Sequence, residues 1–195
     1  MLKGAREEKI KSEFIPGEKL YLRPLEVDDA KKVCSWMNDR EVLRFLSKTM
    51  PINLFREEEF LKTLYQDSRS FYLGIMAKEN DALIGMVSLV NIDTISRHAE
   101  LALIIGEKEY WGKGYGTEAD ALMVNYGFRY LNLNKIYAHI LAEHQVSLKL
   151  VKELGLRTDG VLREQIYRDG QYHDVVVCSI LRKEYEALKR ESELN

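Results

Sequence analysis

The sequence predicts an α/β fold (α+β) with one mixed, mostly antiparallel sheet of seven strands. Two apolar runs, 70–78 and 82–93, flank the turn-forming tripeptide END, and two further strands flank Asp169-Gly170, so both segments are predicted to be hairpins. Elsewhere the chain has the order strand, helix, strand. A helical crossover joins parallel strands, so we expect one parallel pair in this sheet.

Residues 20–67 are predicted to form one strand and two amphipathic helices. LYLRPL at 20–25 alternates apolar and polar residues and contains a proline, which favours a short edge strand. Segments 26–39 and 53–67 have the helical spacing of apolar residues, while 40–54 is weakly patterned and is predicted as a short helix and a loop. The residues expected on the inward helix faces are Val33, Trp36, Met37, Phe60, Leu61 and Leu64.

The second part of the chain alternates strands and helices. The predicted elements are a strand at 98–106, a helix at 117–131 with Thr117 near its N-cap, a strand at 135–142, a helix at 146–155, a hairpin at 160–181 and a polar helix at 183–191. The strand KIYAHILA is nearly all apolar, which suggests burial on both faces. Gly155 is expected to end its helix as a C-terminal glycine cap.

Composition indicates a globular protein with one domain. Of its 195 residues 46% are hydrophobic and 31% charged, and the net charge of −2 gives no basic field for a nucleic acid. No apolar run reaches the ~20 residues of a membrane span, and the charged N-terminus does not resemble a signal peptide, so a cytoplasmic location is expected. Cys34 and Cys178 match no metal spacing and are expected to be reduced thiols. We expect a flexible extension at 1–15 and a single domain at 16–190.

The stretch YWGKGYGTEA places Gly112, Gly114 and Gly116 at every second position, immediately before a predicted helix. Backbone N–H groups at a helix N-terminus are unpaired and carry partial positive charge, so such a junction can bind a phosphate, and Lys113 adds a cation. A plain connecting turn is the alternative, but it needs only one glycine. The spacing matches neither a Walker A loop nor the dinucleotide fingerprint.

Together with KIYAHILAEHQVSLKLVKELGL and the last hairpin, this stretch resembles the GCN5-related N-acetyltransferase (GNAT) superfamily, in the branch of ribosomal-protein alanine N-acetyltransferases and spermidine acetyltransferases. The resemblance runs from about Leu20 to the final helix. It implies a parallel strand pair that splays apart, helices on both sheet faces, acetyl-CoA as cosubstrate, and often a homodimer. Trp111 stands where the family often has Gln or Arg. The cofactor-binding residues that the resemblance implies are Leu103, Ile104, Ile105, Trp111, Gly112, Lys113, Gly114, Tyr115, Gly116, Thr117, His144 and Ser147.

Two departures from the family pattern concern catalysis. His144 stands where the family commonly has Asn, and Ser147 keeps its place three residues later. Many members then carry a tyrosine that protonates the leaving thiolate, and this chain has Val151. The resemblance therefore predicts fold and cofactor but leaves the general acid open.

Transfer to an amine requires a base, because an alkyl ammonium has a pKa of about 10. We rank Glu100 first and His144 second as catalytic candidates; His139 and Glu143 are weaker alternatives, and a lone histidine within an apolar run is more often a core residue. In the family, a backbone N–H holds the acetyl carbonyl where the strand bulges and splays, here within Leu103 to Ile105.

The acceptor stays open among polyamines, protein N-termini, amino sugars and aminoglycosides. The acidic runs EVDDA and FREEEF lie on helices that wall the acceptor site in this family. Such runs are usually solvated helix faces, and attraction of a cationic amine is the functional alternative. An acetyl-CoA-dependent N-acetyltransferase is the leading hypothesis, and a non-catalytic coenzyme A sensor or interaction module is the second.

Overall fold

A computed structural model describes residues 12–46 and 50–193 as one eight-stranded sheet with five α-helices. The strands are β1 (Ile15–Pro16), β2 (Leu20–Arg23), β3 (Phe71–Ala77), β4 (Ala82–Asp93), β5 (His98–Ile105), β6 (Lys135–Leu141), β7 (Arg157–Arg168) and β8 (Gln171–Leu181). The helices are α1 (Ala30–Trp36), α2 (Leu54–Thr63), α3 (Tyr115–Arg129), α4 (Gln145–Glu153) and α5 (Arg182–Glu193). Short 3-10 turns lie at Val27–Asp29, Val42–Phe45, Leu64–Gln66 and Lys108–Tyr110.

The strand order is β1-β2-β3-β4-β5-β6-β8-β7, and all neighbours are antiparallel except β5 and β6. This confirms the mixed sheet, both hairpins and the parallel pair. The predicted count of seven strands was wrong by one. The additional strand β1 has only two residues, too few to leave a periodic signal, and it covers the edge of β2 by pairing Ile15 with Leu22. Consequently β2 is not the edge strand, and Leu20 and Leu22 are fully buried.

Helices cover both faces of the sheet. On one face α3, α4 and α5 pack over alternate residues of the central strands, and on the other α1 and α2 enclose a second core around Trp36 and Leu61. The inward positions predicted for α1 are buried. Leu61 and Leu64 are buried as predicted, whereas Phe60 packs on Tyr72 of β3 and stays 38% exposed. No helix among the described residues is long and apolar enough to cross a membrane.

The predicted N-terminal extension is described only in part. Residues 1–11 of the predicted extension lie outside the described residues, and the single domain at 16–190 stays a prediction. Phe14 and Ile15 pack on the fold: the Phe14 ring contacts those of Phe71 and Tyr126, and its N–H donates to the Leu22 carbonyl over 2.9 Å. In the weakly patterned segment the predicted short helix is the turn Val42–Phe45.

The parallel pair separates after three registered positions, of which the last joins Glu100 to Tyr137. Beyond it β5 stays paired with β4 through Ile105, and β6 stays paired with β8 through Leu141. A wedge therefore opens between β5 and β6. The predicted burial of β6 on both faces was wrong. Buried and more exposed side chains alternate from Lys135 to His139, and the His139 side chain is 39% exposed, because one face of the strand lines the wedge.

Gly85 allows β4 to pair closely with the part of β5 that borders the wedge. A β-carbon at Gly85 would lie 2.2 Å from the Ile104 carbonyl oxygen, a backbone atom that cannot move without separating the strands. We expect Gly85→Ala to lower the free energy of unfolding by about 1–3 kcal/mol in urea titrations. Gly160→Ala is the control, because its β-carbon would meet no atom within 4 Å, and it should change stability by less than about 0.5 kcal/mol. Equal stabilities of the two variants would contradict this account.

Candidate active site

The wedge presents free backbone groups of β5. The Gly106 N–H donates to the Ile84 carbonyl of β4, and backbone groups alternate along a strand, so the Leu103 and Ile105 N–H groups point away from β4 and into the wedge. The predicted bulge within Leu103 to Ile105 is absent, since these residues pair with β4 in continuous register. The register shift lies at the end of β4, between Val90 and Asp93.

The glycine-rich loop follows directly from the wedge. Gly112 has φ of 70° and Gly114 has φ of 87°, the left-handed region that glycine adopts without strain. Gly114 is the N-cap of α3, so the helix begins at Tyr115, two residues before Thr117, and Thr117 is not the cap. The N–H groups of this first turn have no partner within the helix. The loop thus carries bare amides at the positive end of a helix of 15 residues.

Several side chains of the loop have structural roles. A β-carbon at Gly116 would lie 3.0 Å from Leu103 and 3.4 Å from Leu150, so this glycine serves the close packing of α3 on β5 and α4. The Tyr115 ring is 7% exposed, and burial raises its pKa. The Trp111 indole N–H donates to the Ile105 carbonyl over 2.8 Å and ties the loop to the end of β5. These contacts shape the loop and leave its amides accessible.

Two lysines lie at the loop. The Lys113 ammonium lies 5.9 Å from the Tyr110 ring centroid, and that of Lys19 donates to the Lys113 carbonyl over 3.3 Å. Lys19 comes from the turn between β1 and β2, which is anchored because Glu118 of α3 accepts the N–H groups of Glu18 and Lys19. Lys19 was missed from sequence because it is 94 residues away from Lys113 and belongs to no motif. Both cations favour an anion at this helix end.

Glu100 and His139 meet at the narrow end of the wedge. The His139 Nδ1–H group donates to Glu100 Oε1 over 2.9 Å, and Asn91 donates to Glu100 Oε2 over 3.0 Å. Asn91 has φ of 52° within the irregular part of β4, which turns its amide toward β5. The core reading of His139 was wrong, because the ring is partly exposed and paired with a carboxylate. The structure therefore joins two candidates that the sequence treated separately.

His144 lies at the N-cap of α4 and stacks on Phe45, with ring centroids 3.9 Å apart and planes inclined by 8°. Its Nε2 atom lies 3.3 Å from the Ser147 hydroxyl oxygen. Burial lowers the pKa of His144, an effect that Glu143 opposes. Neutral imidazole is thus favoured at neutral pH, which suits a base or hydrogen-bonding partner better than a proton donor.

Glu143 and Val151 both have structural roles. Glu143 accepts from His173 Nδ1 over 2.7 Å and from Arg168 Nη2 over 3.5 Å, so it belongs to an ionic cluster at the tip of the last hairpin. Val151 is 4% exposed and packs in the core between α4 and the sheet. It also lines a groove of about 1120 Å³ beside α5, which contains none of the predicted site residues.

A cavity of about 460 Å³ lies between α1, α2 and the sheet, against the wedge. Its lining residues are Val33, Met37, Leu46, Glu57, Phe60, Tyr72, Met86, Ser88, Val90, Ala102, Leu103 and Ile104. Glu57 is 2% exposed, so it does not belong to a solvated helix face, although Glu59 of the same acidic run does. The spacing of Glu57 to Leu61 and Leu64 (i, i+4, i+7) was the signal that could have placed Glu57 on the inward face of α2.

The loop geometry generates a test of coenzyme A binding. Gly114→Val puts a β-branched residue at φ of 87°, which distorts the amides at the N-terminus of α3. We expect at least about tenfold weaker coenzyme A binding by calorimetry. Gly116→Val is unsuitable as a binding probe, because its side chain would first disturb Leu103 and Leu150 and lower stability. Unchanged affinity in a folded Gly114→Val protein would remove this loop from the binding site.

Comparisons with known proteins agree with this geometry. Residues 19–157 match the acetyltransferase (GNAT) domain family. Spermidine N(1)-acetyltransferase of Escherichia coli K12 is 33% identical over 172 residues, covering 85% of this chain and 88% of that protein. The crystal structure of spermidine N-acetyltransferase from Vibrio cholerae in complex with CoA and spermine has a TM-score of 0.80 at 30% identity, covering 86% of this chain and 98% of that one. The chain therefore belongs to the GNAT acetyltransferase family and uses acetyl-CoA.

Proposed function

We propose that this N-acetyltransferase transfers the acetyl group of acetyl-CoA to a primary amine of an aliphatic polyamine, by direct attack in a ternary complex. The observation that carries the proposal is Glu57, a buried carboxylate in an otherwise largely apolar cavity that reaches Leu103 at the wedge. The volume of about 460 Å³ lies within the range of small-ligand pockets, about 300–1,000 Å³.

The cavity chemistry fits a flexible cation with methylene spacers. Met, Val, Leu and Ile side chains suit the alkyl part, and the carboxylate of Glu57 gives the lining a negative charge that complements a distal ammonium. The perpendicular rings of Phe60 and Tyr72 add faces that attract a cation. An amino sugar would instead require many hydroxyl partners, and among the described lining residues Ser88 and Tyr72 carry hydroxyl groups. The spermidine acetyltransferases among the relatives support the same substrate class.

Glu100 and His139 supply the base. The attacking amine must be neutral, and the hydrogen bond from Nδ1 of His139 to Glu100 fixes the ring and its tautomer, so that the Nε2 atom is free to take the amine proton. The Leu103 N–H group is the donor for the carbonyl oxygen that becomes negative in the tetrahedral intermediate. Amides of Lys113 to Thr117, with Lys19 and Lys113, hold the diphosphate of coenzyme A, and His144 and Ser147 contact its pantetheine arm.

A homodimer and a cytoplasmic location stay predictions. A coenzyme A sensor without catalysis is the alternative, and it is favoured by Val151 at the family's tyrosine position. The Glu100–His139 pair and the carboxylate in the cavity favour the enzyme.

The base assignment predicts a specific kinetic pattern. Glu100→Gln should lower kcat/KM roughly 10²-fold, because the imidazole loses its carboxylate partner, and His139→Asn should have a similar effect. Since the two residues act as a unit, the double variant should be little worse than either single one. Steady-state rates from pH 6 to 10 provide the measurement. A loss below about threefold in Glu100→Gln would remove Glu100 from the mechanism and favour water or His144.

The acceptor assignment is tested by thiol release from acetyl-CoA with a panel of amines. We expect spermidine and spermine to be acetylated, and Glu57→Gln to raise their KM roughly tenfold while changing the KM of a monoamine of equal alkyl length less than about twofold. Glu58→Gln is the matched control on the same helix and should leave both values unchanged. Equal effects on the polyamines and the monoamine would refute the role of Glu57, and absence of thiol release with every amine would favour the sensor.

A further inference from the structure

Asp120 is a buried carboxyl group that has no role in the mechanism proposed above. It lies in the second turn of α3 and is 3% exposed. Its Oδ1 atom has no hydrogen-bond partner among the described residues. Burial raises its pKa to about 8, so the group carries its proton at neutral pH. A neutral acid of this kind is costly in a core, which suggests a use for it.

Helix geometry places Asp120 beneath the narrow end of the wedge. A β-carbon at Gly116 would contact side chains of β5 and α4, and one at Gly127 would contact β4 and β6, so this line of α3 faces the sheet where the parallel strands separate. Asp120 is one turn after Gly116, about 6 Å along the axis. Two strand residues span a similar length. Asp120 therefore lies at the level of Leu101 to Leu103, the part of β5 just beyond the last parallel pair.

Contacts on the two flanks of α3 show toward which side of the helix Asp120 is rotated. Leu122 contacts the Gly17 turn on the side of β1, and Phe128 contacts Tyr185 of α5 on the opposite side. At 3.6 residues per turn, Asp120 is rotated about 40° from Gly116 toward the side of Phe128. Its carboxyl group thus leans toward β6 and α4, the side that carries Val151.

Asp120 thus lies close to Val151, where the tyrosine that serves many family members as general acid is missing. Val151 has no proton to give, and His144 favours the neutral form. We propose that Asp120 is the general acid of the acetyl transfer and protonates the sulfur of coenzyme A as it leaves. The inference rests on the proposed function, because it needs acetyl-CoA in the wedge.

The step balances in atoms and electrons. The amine nitrogen attacks the thioester carbonyl carbon and forms the C–N bond, and the amine proton passes to the Glu100–His139 pair. The C–S bond then breaks, its electron pair stays on sulfur, and sulfur takes the carboxyl proton of Asp120. The products are the acetylated amine and the coenzyme A thiol. Water reprotonates Asp120 and removes the proton from His139 after product release. A free thiol has a pKa of about 8.5, close to that of Asp120, so the transfer is nearly thermoneutral.

The charged groups nearby do not disturb this titration. The titratable groups that face α3 from the elements packed against it are Cys178 of β8 and Tyr185 of α5, and burial raises the pKa of both. On the opposite face of the sheet lie Tyr21, Arg23, Asp93, His98, Glu100, Lys135, Tyr137 and His139, and on the exposed side of α4 lie Lys149, Lys152 and Glu153. Burial is the only cause of the raised pKa of Asp120 among the described residues.

Asp120→Asn separates catalysis from structure, because Asn has the shape of the neutral acid but cannot give up a proton. The folded pKa lies above the unfolded value, so ionisation of the unfolded chain destabilises the wild type increasingly as pH rises from about 4 to about 8. Asn does not ionise in the unfolded chain, so the variant does not lose stability as pH rises. We expect a higher Tm at pH 8, no gain near pH 4, a kcat at least about tenfold lower, and an unchanged KM for acetyl-CoA. The fall of kcat above about pH 8 in the wild type should disappear.

Asp159→Asn is the matched control. Asp159 pairs with Lys135 over 2.6 Å and accepts from Ser179, and these partners lower its pKa, so its replacement should lower Tm and leave kcat unchanged. A kcat within threefold of wild type in Asp120→Asn would overturn the proposal, as would a wild-type kcat that does not fall above pH 8. The wild type is assayed first with spermidine: if it releases no thiol, the proposed function itself has failed.

Discussion

The separation of β5 from β6 is the constraint on which the rest of the site depends. Each strand is fully paired on its other edge, β5 with β4 through Ile105 and β6 with β8 through Leu141, so neither can turn its free amides elsewhere. Beneath them α3 packs closely through Gly116 and Gly127 and prevents the wedge from collapsing. The open edge offers the Leu103 N–H group, and the glycine-rich loop follows the end of the same strand.

Electrostatics divides the site into two sides. At the helix end, Lys19 and Lys113 join bare amides, an arrangement for a dianionic linker. Across the sheet, Glu57 lies in an apolar cavity, an arrangement for a cation. The wedge is the passage between them, with Glu100 and His139 at its narrow end. In the proposed function, cosubstrate and acceptor are attracted from opposite sides to one reacting centre, and positioning supplies much of the acceleration.

Three carboxyl groups among the described residues are buried, namely Asp29, which pairs with Arg23, and Glu57 and Asp120. Glu57 lies on the inward face of α2 and Asp120 on the inward face of α3. Local departures from the rule that charges stay outside are expected where function requires them, and stability elsewhere compensates. Here the large apolar clusters on both sheet faces provide that stability. The absence of the family tyrosine at Val151 and the presence of a neutral acid at Asp120 are two features of the same small region.

The sequence by itself determined the elements with strong local signals: both hairpins, the crossover between parallel strands, the glycine cap at Gly155 and the loop at Gly114, because turn chemistry and apolar periodicity act over a few residues. Only the tertiary structure decided which distant groups meet. It brought Glu100 to His139, stacked Phe45 on His144 and placed Lys19 over Lys113. Burial of Glu57 and Asp120 and the two-residue strand β1 were decided in the same way, since burial and strand pairing depend on neighbours far along the chain.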